Sequence, residues 1–411
     1  MHIQFSPALR AEITLPTSKS ISARALIINA LSAQPCAVEG VSDCDDTRAV
    51  VAALRDNPEV VDIGAAGTAM RFLTAFFATR EGETHLLTGS ERMQQRPIGI
   101  LVDALRSLGA DISYARNEGY PPLLIRGRRL RGGTLPIAAS TSSQYLSALL
   151  MIAPTLSEGL TLQLQGEVAS APYLRMTLAL MRAFGVESQW AEGEIRVPNA
   201  AYHRAAPYAV EPDWSAASYW YELLALCPDA DGQVLLRGLS LQSVQGDSAC
   251  AQLFAPLGIA TETVADGLLL RRTAFAPQRL DFDFADCPDL AQTLVAAAAM
   301  RGCSFRFAGL KTLKIKETDR IAALCTELAK YGVRLVDQGE GRLAYDASDA
   351  VTSALPTVEA TIDTYDDHRM AMAFAPTAHI VCSLRINHPE VVSKSYPEFW
   401  EDLKGVGMVA D

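Results

Sequence analysis

The chain has 411 residues, with 36 lysines and arginines against 47 aspartates and glutamates, and its formal net charge is −11. The length predicts two domains, and the acidic balance excludes nucleic-acid and anionic-membrane binders, whose affinity depends on net positive charge. A small anionic ligand stays possible, because a local basic cluster can outweigh the chain average. The longest apolar runs are too short for a membrane helix and the N-terminus resembles no targeting segment, so we expect a cytoplasmic protein without membrane partners.

Two interleaved series of predicted helices follow one another along the chain. Short apolar helices are predicted to begin near Ser20, Gly67, Ser143, Ser215, Asp289 and Asp367. Amphipathic helices are predicted to end at Gly109, Gly185, Gly258, Gly332 and Gly407, each followed by an apolar residue that starts a strand. Glycine is typical of the position just after a helix. The glycines are 76, 73, 74 and 75 residues apart, which indicates an internal repeat.

Six helix starts predict six repeated units, three in each of two lobes. The two end units are short, and adding the first residues of the chain to the last unit brings it near a full copy. We therefore predict an N-terminal lobe over 17–212 and a C-terminal lobe over 1–16 and 213–411. The chain then crosses between the lobes near 15–17 and near 211–213, and these two crossings form a hinge.

Several of the apolar helices begin at sequences suited to binding an anion. Small or hydroxylated residues precede them in Thr17-Ser18-Lys19-Ser20, Ala66-Gly67-Thr68 and Ser140-Thr141-Ser142-Ser143-Gln144, and free N–H groups at such ends favour negative charge. Basic residues cluster nearby: Lys19, Arg24, Arg92, Arg96, Lys316, Arg320, His368, Arg369 and Lys394. Any one of them could be a solvated surface charge. Beside apolar helices, however, unpaired cations are costly to bury, so the group indicates anionic ligands.

Two carboxylates are candidates for proton transfer. Glu317 lies between two cations in Lys316-Glu317-Thr318-Asp319-Arg320, and Asp289 opens a very apolar helix. Each could equally be a helix cap or a first-turn acid. The sequence contains no G-x-S-x-G or P-loop motif and no cysteine with an evident histidine partner, so a nucleophilic mechanism finds no support.

Seven segments together resemble the 5-enolpyruvylshikimate-3-phosphate (EPSP) synthase family of enolpyruvyl transferases. They are LPTSKSISARAL, AAGTAMRFLTA, SERMQQRPIG, SSQYLSALLM, KIKETDRI, YDDHRMAMAFA and SKSYPEFWEDL, and they run in order from Leu15 to Leu403. The resemblance implies an α/β (α+β) fold of two lobes, each with three βαβαββ units, buried helices and pseudo-threefold symmetry. It implies transfer of the enolpyruvyl group of phosphoenolpyruvate to the 5-hydroxyl of shikimate 3-phosphate, with release of phosphate. No metal or redox cofactor is implied, and the family leans to monomers.

The resemblance also implies residue roles. Asp289, Glu317 and Lys19 would exchange protons, and His368 would support the site. The expected ligands of shikimate 3-phosphate are Lys19, Ser20, Arg24, Ser142, Ser143, Gln144, Ser170, Tyr173, Asp289, Thr312 and Lys316. The expected ligands of phosphoenolpyruvate are Lys19, Gly67, Arg96, Gln144, Arg320, Arg369 and Lys394. Bound ligands would bridge the lobes, so we expect closure around them.

Three positions depart from the family pattern. Ala65 stands where the family often has asparagine, which removes a side-chain contact to phosphoenolpyruvate but leaves the backbone contact at Gly67. Phe72 replaces a proline in the same helix, and Thr312 replaces an asparagine that contacts shikimate.

Two alternative functions are weighed against this one. A UDP-N-acetylglucosamine enolpyruvyl transferase would need a reactive cysteine in a mobile loop, and residues 92–131 contain none. A non-catalytic anion-binding paralogue would leave the joint presence of Lys19, Asp289, Glu317 and Arg369 unexplained.

Overall fold

The computed structural model describes residues 1–6, 8–139, 142–166, 168, 170–276, 278–349 and 359–410, without the side chain of Asp349. Internal contacts divide the chain into two compact units. We call Thr17–Glu211 the N-terminal unit, and Met1–Pro16 together with Pro212–Asp411 the C-terminal unit. Pro212 falls in the C-terminal unit, one residue before the predicted boundary, and its carbonyl accepts a hydrogen bond from Gln245 Nε2 (2.8 Å).

The α-helices of the N-terminal unit are α1 (Lys19–Ala30), α2 (Asp45–Asp56), α3 (Gly67–Ala78), α4 (Glu91–Gln94), α5 (Gly99–Ser107), α6 (Ser143–Ile152) and α7 (Ala171–Ala183). Those of the C-terminal unit are α8 (Trp214–Leu226), α9 (Cys250–Phe254), α10 (Ala291–Met300), α11 (Arg320–Ala329), α12 (His368–Phe374) and α13 (Phe399–Gly405). Short 3-10 helices cover Ala153–Thr155, Gly246–Ala249, Ala255–Leu257, Pro288–Leu290, Lys311–Ile315, Ala347–Asp349, Ala375–His379 and Pro389–Lys394.

The strands of the C-terminal unit are β1 (His2–Phe5), β2 (Arg10–Thr14), β13 (Gln233–Arg237), β14 (Ile259–Val264), β15 (Gly267–Arg272), β16 (Leu280–Asp283), β17 (Phe305–Ala308), β18 (Val336–Gly339), β19 (Arg342–Tyr345), β20 (Glu359–Ile362), β21 (Ser383–Ile386) and β22 (Met408–Ala410). Those of the N-terminal unit are β3 (Val38–Glu39), β4 (Val60–Asp62), β5 (Thr84–Thr88), β6 (Asp111–Tyr114), β7 (Leu123–Arg126), β8 (Gly133–Ala138), β9 (Leu160–Gln165), β10 (Gln189–Ala191), β11 (Glu194–Val197) and β12 (Tyr208–Ala209).

Five four-stranded sheets share one pairing pattern. Their strand orders are β4-β5-β7-β6, β10-β11-β9-β8, β14-β15-β13-β2, β16-β17-β19-β18 and β20-β21-β1-β22. Each contains one parallel pair, such as β4 with β5, and two antiparallel pairs. Another sheet consists of the two short parallel strands β12 and β3. These repeated sheets correspond to the internal repeat predicted from the spacing of the glycines. The N-terminal strands β1 and β2 lie in sheets of the C-terminal unit.

Apolar helices form the centre of each unit. In the N-terminal unit α1, α3 and α6 pack on one another, and in the C-terminal unit α8, α10 and α12 do so. Every residue of α10 is buried, as expected of a helix that is apolar on all sides. Each unit has its own hydrophobic core. None of the described helices is long and apolar enough to cross a bilayer.

The predicted helix boundaries agree with the structure. The predicted starts near Gly67 and Ser143 are the first residues of α3 and α6, and the others fall within about one turn of a helix start. The five predicted glycine stops have φ between +76° and +101°, the left-handed region in which glycine is favoured. The amphipathic series has one further member, α2, which was missed because Asn57 (φ +42°) takes the place of glycine.

A buried acid in the core of the C-terminal unit predicts a pH-dependent stability. Both carboxyl oxygens of Glu222 in α8 are buried and have no hydrogen-bond partner among the described residues. Burial raises the pKa of this carboxyl well above its usual range. Between the pKa of Glu222 in the unfolded chain and its higher pKa in the folded protein, only the folded protein keeps this proton. Glu222 therefore destabilises the fold increasingly as pH rises above its unfolded pKa.

Glu222→Gln keeps the side-chain size and removes the ionisation. We expect it to stabilise the protein by about 1–3 kcal/mol at pH 8 and by less at pH 5. Urea denaturation of wild type and variant between pH 5 and pH 8 measures the difference. Glu59→Gln, at an exposed carboxyl, is the matched control. A gain that is the same at pH 5 and pH 8 contradicts the prediction.

Candidate active site

The starts of three buried helices meet in the C-terminal unit. Ser215 lies in the first turn of α8, Asp289 lies in the 3-10 helix before α10, and Arg369 is the second residue of α12. The Arg369 guanidinium donates to Asp289 Oδ2 (2.9 Å) and to Ser215 Oγ (3.4 Å). Two of the predicted site residues, Asp289 and Arg369, are thus in direct contact.

Arg320 is the centre of the charged cluster in this unit. Its side chain is 1% exposed and contacts three carboxylates. It donates to both oxygens of Asp367 (2.6 and 3.2 Å), to Glu317 Oε2 (2.9 Å) and to Asp289 Oδ1 (3.3 Å). Burial lowers the pKa of Arg320, but the three negative charges outweigh burial and raise it above the usual value. Asp319 caps α11 and so fixes where Arg320 begins the helix.

Two lysines complete the predicted cluster. Lys394 Nζ donates to Glu317 Oε1 (2.8 Å), so the two oxygens of Glu317 face two different cations. Lys316 Nζ lies 3.7 Å from Asp289 Oδ1, and burial lowers the pKa of its ammonium group. The structure therefore brings together five predicted residues around Arg320: Asp289, Lys316, Glu317, Arg369 and Lys394.

His368 and Thr312 are two further predicted site residues in this unit. His368 is 1% exposed, and its Nδ1 lies 3.6 Å from Asp367 Oδ1. Thr312 lies in the 3-10 helix Lys311–Ile315, and its buried hydroxyl has no hydrogen-bond partner within the described residues. The predicted contact of Thr312 with a substrate stays a prediction.

Sequence analysis missed Asp247 and Tyr219 next to the cluster. Asp247 accepts a hydrogen bond from the Ser215 hydroxyl. Burial, followed by the nearby charge of Asp289, raises the pKa of Asp247 to about 7. The Tyr219 hydroxyl accepts from Arg369 Nη1 (3.2 Å). Asp247 lies in a polar SVQGDS segment and Tyr219 in an apolar helix, so neither stands out before burial is known.

Arg24 is a buried cation surrounded by neutral groups in the N-terminal unit. Its guanidinium donates to Thr177 Oγ1 (2.8 Å), to Ser147 Oγ (3.2 Å) and to the carbonyl of Ser20 (2.9 Å). Burial lowers its pKa to about 10. None of the described ion pairs gives it a carboxylate partner. The structure joins α1, α6 and α7 at this cation, and an anion placed there would balance its charge.

The Tyr173 ring lies beside the same guanidinium. Arg24 Cζ is 5.9 Å from the centroid of Tyr173 and 5.2 Å from that of Phe72. These contacts place Phe72, which departs from the family pattern, against a predicted substrate ligand. Ser147 and Thr177 were missed, since single hydroxyls within a helix are ordinary in sequence.

The starts of α3 and α6 meet through Gln144. Its Nε2 donates to Thr68 Oγ1 (3.2 Å), although the two residues are 76 positions apart. Ser142 caps α6 by accepting from Gln144 N (3.3 Å), and Ser143 is the first residue of that helix. Ser140 and Thr141, named in the same motif, lie outside the described residues.

Lys19 and Ser170 lie at the starts of α1 and α7. Lys19 Nζ lies 3.3 Å from Oδ2 of Asp46, a buried residue in the first turn of α2 that sequence analysis missed. Ser18 caps α1 by accepting from Ile21 N (3.5 Å). Ser170 precedes α7 in the left-handed conformation (φ +58°).

Gly67 and Arg96 are in close contact. A Cβ atom added to Gly67 would lie 2.6 Å from Arg96 Nη1, so the guanidinium packs directly on the glycine.

We expect Gly67→Ala to displace Arg96 and to raise the KM for the ligand of Arg96 about tenfold, with little loss of folding stability. Steady-state kinetics and thermal melts measure the two effects. Gly405→Ala, where nothing lies within 4 Å of the added carbon, is the control. Unchanged KM values contradict the prediction.

Solved structures share the fold. Two structures of EPSP synthase from Acinetobacter baumannii match the whole chain over their whole length, with a TM-score of 0.77 and 20% identity. At this identity the likeness shows the fold alone, a mixed α/β architecture, and it confirms the predicted fold class.

Sequence comparisons show the family. The family model of EPSP synthase (3-phosphoshikimate 1-carboxyvinyltransferase) matches residues 3–57 and 55–403. A 3-phosphoshikimate 1-carboxyvinyltransferase of Bacteroides fragilis is 52% identical over 400 residues, which cover 97% of this chain and 96% of the relative. One from Shewanella halifaxensis is 37% identical over 422 residues, with 96% of each chain covered. The chain belongs to the EPSP synthase family. The resemblance predicted from the seven motifs is confirmed.

Proposed function

We propose that this chain transfers the enolpyruvyl group of phosphoenolpyruvate to the 5-hydroxyl of shikimate 3-phosphate and releases phosphate, a step of aromatic amino-acid biosynthesis. The observation that carries the proposal is the single hydrogen-bonded cluster of Asp289, Glu317, Arg320, Arg369 and Lys394 in the C-terminal unit. It places two carboxylates among three cations. Such a cluster combines anion binding with proton transfer.

Residues of the N-terminal unit bind shikimate 3-phosphate. Arg24 supports this assignment, because its buried guanidinium donates to neutral oxygens in the part of the chain that the structure describes. The hydroxyls and amides at the starts of α6 and α7 bind the 3-phosphate through Ser142, Ser143 and Ser170, since helix N-termini favour anions. Lys19, Ser20, Gln144 and Tyr173 complete this group, and in the other unit Asp289, Lys316 and Thr312 contact the same substrate.

Arginines and lysines in both units bind phosphoenolpyruvate. Arg96 with Gly67, Gln144 and Lys19 contribute from the N-terminal unit. Arg320, Arg369 and Lys394 contribute from the C-terminal unit, where each already has a carboxylate partner. Arginine suits this role because its planar group binds two oxygens of a carboxylate or phosphate at once.

The reaction proceeds by addition and elimination. The 5-hydroxyl oxygen forms a bond to C2 of phosphoenolpyruvate, Asp289 accepts the hydroxyl proton, and C3 gains a proton from Glu317 or Lys19. The resulting tetrahedral ketal loses phosphate as the bond between C2 and the phosphate oxygen breaks. C3 returns a proton to the residue that donated it, which restores the double bond. Glu317 lies between Arg320 and Lys394, so its carboxyl group is placed among the proposed ligands of phosphoenolpyruvate.

Positioning and charge stabilisation supply most of the rate enhancement. Holding two reactants in near-attack geometry contributes about 7–11 kcal/mol. Each hydrogen bond to a charged group adds about 1.5–3 kcal/mol where water is excluded. The buried arginines provide such bonds without reorganisation, because neighbouring side chains already hold them.

An assay of phosphate release from phosphoenolpyruvate tests the proposal. Turnover with shikimate 3-phosphate and formation of the enolpyruvyl ether are the expected results. Turnover only with a UDP-aminosugar would assign the chain to the related enolpyruvyl transferase. No turnover with either acceptor, from protein shown to be folded, would indicate a non-catalytic anion-binding protein.

The enzyme acts as a monomer in the cytoplasm. The net charge of −11 supports solubility without a partner, and each unit has its own hydrophobic core. Sedimentation of the purified protein tests the monomer, and cell fractionation tests the location.

A further inference from the structure

An uncommon backbone turn leads into helix α12. Residues 363–367 connect β20 to α12, and the amide of Asp367 donates to the carbonyl of Thr364 (2.9 Å). The two central residues, Tyr365 (φ +55°) and Asp366 (φ +54°), are both left-handed although neither is glycine. Such a conformation persists only where surrounding contacts hold it, and it is typical of positions with a functional demand.

Glu327 holds this turn from helix α11. Its side chain is fully buried. Oε1 accepts from the Tyr365 hydroxyl (2.6 Å), and Oε2 accepts from the amide of Asp363 (3.1 Å) and from Lys330 Nζ (2.6 Å). Lys330 Nζ also donates to the carbonyl of Thr361 (2.7 Å), at the end of β20. One buried carboxylate therefore fixes the side chain and the backbone of the turn together.

Helix α11 also holds the far end of the turn. Arg320 is bound to both oxygens of Asp367, as described above. Arg320 and Glu327 are seven residues apart, about two helical turns, so they lie on the same face of α11. Asp367 Oδ1 in turn accepts from the amide of Arg369 (3.0 Å). The position of Arg369 thus depends on a turn held at two points by one helix.

We propose that Glu327 and Tyr365 are positioning residues for the anion-binding start of α12. They hold the left-handed turn so that Asp367 meets Arg320 and the Arg369 guanidinium faces Asp289. The proposal rests on the role of Arg369 in binding phosphoenolpyruvate proposed above. Glu327 and Tyr365 contact neither substrate; they act through Asp367 and Arg369.

Two isosteric variants test the proposal. Tyr365→Phe removes only the hydroxyl. Glu327→Gln keeps the shape but replaces one of the two acceptor oxygens with an amide NH2 group, so the side chain can no longer accept from all three donors. In steady-state kinetics at a temperature where all variants are folded, we expect each to raise the KM for phosphoenolpyruvate about fivefold or more. The KM for shikimate 3-phosphate should change less than twofold.

Tyr331→Phe is the matched control. Tyr331 follows α11, is buried, and its hydroxyl pairs with Thr377 Oγ1 (2.9 Å), which is not a residue of the turn. Its loss should lower the melting temperature without changing the KM for phosphoenolpyruvate. If Glu327 and Tyr365 act through one bond, the double variant should raise this KM no more than the stronger single variant does.

Arg369→Ala separates the two proposals. If it raises the KM for phosphoenolpyruvate while Tyr365→Phe and Glu327→Gln only lower the melting temperature, the positioning role is refuted and the proposed function stands. If Arg369→Ala leaves this KM unchanged, the binding role of Arg369 fails, and the positioning proposal fails with it. If the Glu327→Gln protein does not fold, Tyr365→Phe alone decides. We expect this variant to fold, because it keeps the aromatic ring and the ring is partly exposed.

Discussion

Arg320→Met is expected to lower the free energy of unfolding by about 3–5 kcal/mol and to abolish turnover. The guanidinium is the common partner of Asp367, Glu317 and Asp289, and methionine fills a similar volume without charge. The three carboxylates would then face one another with less compensation in a buried site. Because Arg320 is also a proposed ligand of phosphoenolpyruvate, the loss of turnover should persist at temperatures where the variant is folded.

Chemical denaturation and turnover measure these two effects separately. Arg271→Met is the control, since Arg271 forms an exposed pair with Glu262 in the same unit. It should cost less than about 1 kcal/mol and leave turnover intact. A stability loss for Arg320→Met as small as that of the control would mean that the cluster is not the electrostatic centre of the unit.

Lys19→Met is expected to lower kcat by about a hundredfold to ten-thousandfold while the protein stays folded. Lys19 is a candidate proton donor and a proposed ligand of both substrates. Its side chain is 15% exposed at the start of α1. Methionine has a similar length and volume, so the substitution keeps the packing there. The stability cost should be about 1–2 kcal/mol, from loss of the charged contact with Asp46.

The double variant Lys19→Met/Asp46→Asn separates chemistry from folding. Removing both charges should restore stability toward wild type but leave kcat low. Lys404→Met, at an exposed pair with Glu401, is the control for loss of an ammonium group. Recovery of turnover in the double variant would show that Lys19 only neutralises Asp46. It would refute the proposed catalytic role of Lys19.

Helix boundaries could be predicted because they depend on local chemistry. Helix α3 begins at Gly67 after the small residue Ala66, and Ser142 caps α6. The glycine stops have the backbone freedom that a left-handed residue needs. The end of α2 at Asn57 was not predicted. Asparagine also tolerates the left-handed conformation, but it does not belong to the recurring series of glycines. Strand partners are set by distant contacts, so the insertion of β1 between β21 and β22 could not be read from either segment alone.

The cationic part of the site was predicted more fully than the acidic part. Arg320, Arg369 and Lys394 stand in distinctive motifs beside apolar helices, where an unpaired charge is unexpected. Asp46, Asp247 and Glu327 stand in first turns or within an amphipathic helix, where acids are common on exposed faces. Burial and partner geometry distinguish them from surface acids, and neither can be read from one sequence.

The location of β1 and β2 has a consequence for synthesis on the ribosome. His2 pairs with Arg385 and Ile3 with Ala410, so β1 is translated long before either of the strands with which it pairs. The strands of the N-terminal unit all find their partners within residues 17–211. That unit can therefore fold before the C-terminal unit is translated, while β1 retains exposed edges until β21 and β22 have been made. The order in which the two units mature is set by where the first strands pair.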